Sequence, residues 1–495
     1  MAPKALPGTH AQGLVQRTAR AVALAAATLA ALGMAACAVG PDYRTPDSEM
    51  PKQYQHAADV AGINDAREPV ALDTWWAGFQ DPVLTKIVER ALEQNLDMAA
   101  SIARVAQARA AANFAGAELL PQGNAYVDVT KLHQSVQSPL GKIGSTFPGY
   151  DRNQTLYSVG AAATWEIDIA GGLRRCAEAA NAELQAAEAN HMGVRILVAA
   201  EAADAYFRVR GAQARIAIAQ QQVETNQRLL DLVRLRLADG IGAEREQAQA
   251  EAQLSQTRVT IPPLQIELET QLNRLDVLMG AQPGTYAAEL RDSKHDTQAV
   301  PQVALAQGPA NLLERRPDVI AAERRLAASS ARIGVATAEY YPKVSLSALL
   351  GFESLSAGKL FTAQAFQPAA AAGLRWRLFD FGRVNAEVAQ ARGANAEALA
   401  TYRKSMLQAT EDVENALISL AQLESQNREL AVEIRAHERA RNASEDAYKG
   451  GVVSLYEVLD EDRQLLAARD QQARVRADNA RAAVSAFRAL GGGWS

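Results

Sequence analysis

The run Tyr456-Glu457-Val458-Leu459-Asp460-Glu461-Asp462-Arg463 crowds four carboxylates, a phenol and a guanidinium into about two helical turns. Tyr456, Asp460 and Arg463 stand four and three apart, which puts them on one helical face. Carboxylates so placed can be held by an arginine. On spacing alone the reading that wins is a solvated helix end with ordinary i,i+3 charge pairs. Catalytic chemistry finds no support. The six histidines are dispersed, and no Cys/His or His/Glu grouping has metal-site spacing. Neither a phosphate-cradling glycine loop nor a nucleophile elbow occurs. The expectation is no enzyme, no catalytic residue, no metal and no cofactor.

The stretch that must position this run extends from Gly382 to Leu490. It lacks proline throughout and is interrupted by a glycine pair only at Gly450-Gly451. Proline and glycine break helices, so the stretch predicts two very long helices joined by a tight reversal. Val413, Leu420, Asn427 and Ile434 recur every seven residues, with Ala416, Leu423, Leu430 and His437 three positions later. That stripe is what a coiled-coil partner requires. An arm from Gly382 to Lys449 would be roughly 100 Å long, too long to fold back into an ordinary compact domain.

Composition agrees. The chain has 495 residues, 48% hydrophobic but only 5% aromatic, a balance that favours long, closely packed helices over a bulky core. A net charge of −5 gives no case for nucleic-acid binding. At the N-terminus, Lys4, Arg17 and Arg20 precede the short apolar run Ala21 to Leu32 and the small-residue sequence Met34-Ala35-Ala36-Cys37. This pattern predicts a signal peptide over 1–36, with Cys37 as the lipidated first residue of the mature chain. Cys176 then remains as a small residue near a helix start. No segment has the 18 or more consecutive apolar residues of a membrane helix, so any crossing must use strands.

After an extended lead over 37–82, the chain says nearly the same thing twice. Asn95-Leu96-Asp97 and Arg316-Pro317-Asp318 stand 221 positions apart, as do Pro121 and Pro342. Further on the offset is 211, pairing Trp165 with Trp376, Gly171 with Gly382, Gly240 with Gly451 and Gly280 with Gly491. The first repeat would span 83–300 with its linker, carrying strands at about 123–133 and 155–169 and a helical hairpin at about 172–279. The second would span 301–495, with strands at about 343–353 and 369–380 and a hairpin at about 383–490. Pro262-Pro263 should kink or split the first return helix. The strands alternate apolar and small or polar residues, and the charges Glu166, Asp168, Arg375 and Arg377 on the second face favour a wet lumen. Two strand pairs cannot close a barrel, since the smallest have about eight strands, so membrane crossing demands an oligomer.

The residues from Leu312-Leu313-Glu314-Arg315-Arg316-Pro317-Asp318-Val319, through Glu323-Arg324-Arg325-Leu326 and Tyr340-Tyr341-Pro342, to Trp376-Arg377-Leu378-Phe379-Asp380-Phe381-Gly382-Arg383 resemble one family. So does the start at Cys37 to Tyr43. The family is the TolC-like outer-membrane efflux lipoproteins of the OprM/NodT type. The resemblance covers essentially Cys37 to Gly492. It implies a mainly α protein with a membrane β-barrel. A homotrimer would form one twelve-stranded barrel over a periplasmic α-helical barrel, lipid-anchored in the outer membrane of a Gram-negative bacterium and touching its lipid. It implies a periplasmic adaptor and an inner-membrane transporter, most often of the resistance-nodulation-division class, as partners. Tyr456, Asp460 and Arg463 match the constricted periplasmic end of such channels, and Glu457 and Asp460 match acidic ring positions. Tyr448 matches a tip aromatic, whereas Val453 replaces an arginine of TolC. The turns at Gly240 and Gly242, and at Gly450, Gly451 and Val452, match adaptor docking points. The expected function is a passive exit channel for small molecules with a gate at the hairpin tips. A protein-secretion channel and a non-conducting coiled-coil spacer are the rivals.

Overall fold

A computed structural model describes residues 38–47, 50–60, 71–292, 300–303 and 308–494. Cys37 and the expected signal peptide lie outside the described residues. Helix α1 (Pro82–Gln94) starts where the Asp81 carboxylate accepts the amides of Val83 and Leu84 at 2.9 and 3.2 Å, with Pro82 in the first turn. Helix α2 (Leu96–Ala117) leads into strands β1 (Gln122–His133) and β2 (Asn153–Ile167). Helix α3 (Gly172–Ala238) is followed by α4 (Glu244–Val259) and α5 (Ile261–Leu278). The second repeat runs α6 (Pro317–Ala338), β3 (Lys343–Ser354), β4 (Phe366–Arg375), α7 (Arg383–Lys449) and α8 (Leu455–Ala489). The arms α3 and α7 are each 67 residues long, roughly 100 Å at about 1.5 Å per residue. The first return helix splits at Thr260, two residues before Pro262-Pro263, while α8 runs unbroken.

Two compact units divide the chain. The first comprises residues up to Thr45, Ala108–Leu184 and Arg324–Leu399, and holds an antiparallel sheet in the order β1-β2-β3-β4. Its register puts Val127 opposite Val159, Val159 opposite Phe352, and Phe352 opposite Phe366. Ala125, Ala161, Leu350 and Pro368 make the next such row. Apolar residues thus fill one face, while Asp128, Ser158, Glu353, Ser345 and Arg375 fall on the other by strict alternation. Below the sheet, small side chains let helices approach closely: Ala179 and Ala182 of α3 pack on Ala327, Ala328 and Ala331 of α6. The backbone just past Cys37 is tied in here, the Val39 amide donating to the Ala170 carbonyl at 2.9 Å.

The strand alternation was read two and five residues too far. β2 ends at Ile167 rather than 169, and β4 spans Phe366–Arg375 rather than 369–380. Near the strand end of each repeat a tryptophan donates its indole N–H sideways, Trp165 within β2 to the Leu119 carbonyl at 3.0 Å and Trp376 just past β4 to that of Tyr340 at 2.9 Å. A carboxylate then takes up the amides of the coming helix. Asp168 accepts from Leu173 and Arg174, and Asp380 from Gly382 and Val384. These local bonds outcompete the ladder. Hydropathy alternation continues through them because it does not register where backbone hydrogen bonds go.

The second unit comprises Pro46–Gln107, Gln185–Glu323 and Ala400–Ser495. The lead is not extended throughout. Leu72–Phe79 forms a 3₁₀ turn because its aromatics need burial: the Trp75 ring stacks on Phe487 at 5.6 Å, and Phe79 tilts onto Phe207 at 4.9 Å. The hairpins close on equivalent junctions. Gly280 and Gly491 adopt left-handed φ of 69° and 75°, and a Cβ there would lie 2.4 Å from the Gln94 carbonyl oxygen and 2.5 Å from that of Arg315. Beside them, the Asn95 amide donates to the Leu278 carbonyl in the first repeat, and Arg316 donates to that of Ala489 in the second. Arg316 is buried and also binds Asp318 at 2.6 Å and Asp412 at 2.9 Å. The Arg-Arg-Pro-Asp run is a structural knot.

Candidate functional site at the hairpin tips

Both hairpin turns are the same motif. At the first, the Gly240 amide donates to the Leu237 carbonyl and the Ile241 amide to that of Arg236. At the second, Gly451 donates to Tyr448 and Val452 to Ala447. This paired closure ends each arm on a left-handed glycine, φ 77° at Gly240 and 73° at Gly451. Gly242 is confined, since a Cβ would come within 2.8 Å of the Leu237 nitrogen, whereas Gly450 has ordinary room. The residue after each left-handed glycine is apolar and open to solvent, Ile241 at 67% and Val452 at 80% exposure.

Helix α8 begins with Ser454 and Glu457 capping one another, the Glu457 carboxylate lying 3.4 Å from the Ser454 amide and hydroxyl. Glu457 is therefore committed to its own helix start. Leu455, Val458 and Leu459 then turn into a buried cluster with Leu230, Val233, Ala250, Leu254 and Tyr448. Their opposite face carries Tyr456, 62% exposed, and the pair Asp460–Arg463, joined at 2.6 Å. Gln464 donates to the second Asp460 oxygen at 2.7 Å. The face expected from spacing is thus formed, and it is the face left free by the core.

The acidic run does not behave as one unit. Asp462, 1% exposed, continues the buried stripe of Leu455, Leu459 and Leu465, and its carboxylate meets Arg441 of α7 at 3.0 Å. Burial pushes this carboxyl above the usual aspartate range; Arg441 pulls it down without prevailing, and Glu445 adds to the rise. Glu461 binds His437 at 3.0 Å, so the histidine in the coiled-coil stripe is a polar contact between α7 and α8. Tyr448 is buried beneath the Arg236 guanidinium, 4.7 Å from its ring centre, with burial raising its phenol. The apolar spacing 455, 458, 459, 462, 465 was the signal that could have marked Asp462 as internal.

The four charges assigned to a lumen separate. Glu166 and Arg375 lie on strands, at the ends of β2 and β4. Asp168 and Arg377 lie past the strand ends, where Asp168 caps α3 and bridges Arg174, and Arg377 binds Glu339 at 2.9 Å and Glu387 at 3.2 Å. Cys176 is a half-buried free thiol in α3. A groove of about 610 Å³ opens where the return helix breaks, lined by Arg215, Thr257, Pro263, Asp470 and Arg481. Two of its arginines are held in ion pairs, Arg215 on Asp470 at 2.7 Å and Arg481 on Asp204 at 2.6 Å. Among the described residues no metal-binding cluster forms and no helix is long and apolar enough to cross a membrane.

The sequence model of the outer membrane efflux protein family matches this chain twice, over residues 87–281 and 308–492, once on each repeat. The pyoverdine export outer membrane protein OpmQ of Pseudomonas aeruginosa is 32% identical over 94% of this chain and 96% of its own length. Nodulation protein T of Rhizobium leguminosarum bv. viciae is 28% identical over 90% of this chain and 88% of its own. The structure of the outer-membrane channel OprN aligns with a TM-score of 0.79 at 32% identity, covering 92% of this chain and all of that one. An apolar-faced sheet and two equal long arms, together with these matches, place the chain in the outer membrane efflux protein family, a family of channels and not of enzymes.

Proposed function

We propose that the chain is the exit duct of a tripartite efflux system. Three copies conduct small molecules out of the cell, and the passage closes at the hairpin tips. The observation that carries the gate is the split of α8 into two faces. One is locked into the core by Leu455, Val458 and Leu459, and the other presents Tyr456, Asp460 and Arg463. Repeated about a threefold axis, that second face makes a ring of carboxylates held by arginines, which can obstruct large solutes and favour cations. Glu457 supports the ring through its cap and leaves the charge to Asp460.

The exposed apolar tips, Ile241 and Val452 on the turns of Gly240, Gly242, Gly450 and Gly451, are the docking points for a periplasmic adaptor. The adaptor in turn meets an inner-membrane transporter. Cys37 carries the lipid anchor. Pyoverdine export by OpmQ supports small-molecule cargo, and the lined sheet speaks against a spacer that forms no pore. The double substitution Asp460→Ala with Arg463→Ala should raise single-channel current in planar bilayers and sensitise cells several-fold to large antibiotics. Unchanged current and unchanged sensitivity would remove the gate assignment while leaving the duct.

A further inference from the structure

The groove of about 610 Å³ lies where Pro262 and Pro263 interrupt the first return helix, beside α3 and α8. Small residues give it room. A Cβ on Gly211 of α3 would lie 2.8 Å from that of Ala477 on α8, so the two helices nearly touch there, and Ala212 and Ala467 leave space beside the contact. The volume is that of a site for a drug-sized molecule, roughly 300–1,000 Å³. The lining is mixed. Leu264, Leu466 and the alanines are apolar, while five arginines stand against three carboxylates, Glu267, Asp470 and Asp478. The acids that balance the remainder, Asp204 and Asp460, pair with Arg481 and Arg463 without lining the groove.

Resting on the tip gate proposed above, we propose that this groove binds an amphipathic organic anion, an apolar ring system bearing one carboxylate or sulfonate, and that its occupant draws Arg463 away from Asp460. The sign of the ligand follows from the two outer pairs of α8. Arg463 and Arg474 are 60% and 70% exposed, while their partners Asp460 and Asp478 are 28% and 31% exposed, so an entering molecule meets guanidinium first. Pairs this open hold weakly, and Arg474 stands 3.7 Å from Asp478, so an anion can displace either carboxylate. A cation finds the lining acids engaged, Asp470 by both nitrogens of a fork on Arg215 at 2.7 and 2.9 Å and Asp478 by Arg481 at 2.7 Å. Arg474 is three helical turns beyond Arg463, about 16 Å, which lets the two guanidiniums serve the ends of such a molecule. Arg463 belongs both to the groove and to the face of Tyr456 and Asp460, so the groove opens on the passage side, inward of the tips. When Arg463 leaves, Gln464 keeps its 2.7 Å bond to Asp460, and the Asp460 carboxylates of the copies are left to repel one another. An anion that has passed the tips thereby holds them apart for the next, and the bared ring opposes its own return.

Isothermal titration of naphthalene-2-sulfonate into the full-length protein in lipid nanodiscs tests the site, with 2-naphthalenemethanol as the uncharged match and empty nanodiscs as the blank. Saturable binding of the sulfonate is expected, weakened about tenfold by Arg474→Ala through loss of one charge-assisted contact. Ala467→Trp should abolish it, because the indole fills the groove from an exposed position that the fold does not need. No saturable binding to the unsubstituted protein, equal binding by Ala467→Trp, or equal affinity for the alcohol would overturn the site. The exchange of Arg463 has its own readout. In planar bilayers the sulfonate should raise the current of the unsubstituted channel and leave that of Ala467→Trp unchanged. Binding without a rise in current would overturn the exchange and keep the site. If Asp460→Ala with Arg463→Ala fails to raise current by itself, the gate reading falls, and the calorimetry still decides the groove.

Discussion

Two aspartates two positions apart have opposite environments, and that difference sets what each can do. Asp460 is half-buried beside the exposed Arg463, and a pair open to solvent on one side can exchange partners at little cost. Asp462 is sealed between α7 and α8, where its charge is tolerable only beside Arg441. Arg441→Ala should therefore destabilise the tip by about 3 kcal/mol, because an uncompensated buried carboxylate is left behind. The sign with pH follows from the raised carboxyl. A group that binds its proton more tightly folded than unfolded favours the fold at low pH and loses that contribution as pH rises through its folded pKa. Arg441→Ala should thus melt nearer to the parent at pH 5 than at pH 8, and Asp462→Asn in the same background should flatten the difference. Thermal melts followed by circular dichroism at the two pH values would check this. In the sequence, spacing put Asp460 and Arg463 on one helical face and only the resemblance singled that face out, whereas Asp462 was hidden by its acidic neighbours. The spacing 455, 459, 462 and 465 carried the signal, but an aspartate in an acidic run does not register as part of an apolar stripe.

At the level of elements, the left-handed glycines are alike in backbone but not in surroundings. Around Gly451 a Cβ would meet nothing, so Gly451→Ala carries only the conformational penalty, about 1 kcal/mol. Gly491→Ala adds a collision with the Arg315 carbonyl and should cost about 3 kcal/mol. Denaturant midpoints of the two variants would show the ranking, and equal midpoints would refute it. The long arms and the proline break were legible because absence of breakers and seven-residue spacing are properties of the chain itself. Strand ends were less so. Asp168 and Asp380 take the chain out of the strands through side-chain bonds to backbone, with Trp376 beside the second, while the apolar alternation carries on past them. The buried turn around Trp75 was missed for a related reason, since its partner Phe487 lies at the far end of the chain.

For the whole molecule, the sheet's two faces make a demand on the solvent around it. Leu350 sits on the apolar face, 61% exposed, in a row with Ala161 and Pro368. Leu350→Arg would put a charge into lipid at a cost of about 2–4 kcal/mol per copy near mid-membrane. It should deplete the protein from outer-membrane fractions on immunoblots, whereas Ser347→Arg on the polar face should be tolerated. Equal depletion by both would mean the faces are misassigned. The duplication was legible from tryptophan and glycine offsets and reaches down to single rungs of the ladder. The trimer and its partners were implied only by resemblance, since a single chain does not encode its copy number in any local pattern.

The equal length of α3 and α7, 67 residues each, has an evolutionary corollary. The two turns share one apolar cluster, with Leu230 and Val233 from the first arm and Tyr448 from the second. Losing a heptad from one arm alone would preserve its stripe yet pull its turn about 10 Å out of that cluster. Arm length can therefore drift only by matched events in both halves of the gene. The loop between β1 and β2, where the repeat offset already changes by ten, can lengthen on its own. Within one chain, then, insertions and deletions should record independent history at the strand loops and paired history along the arms.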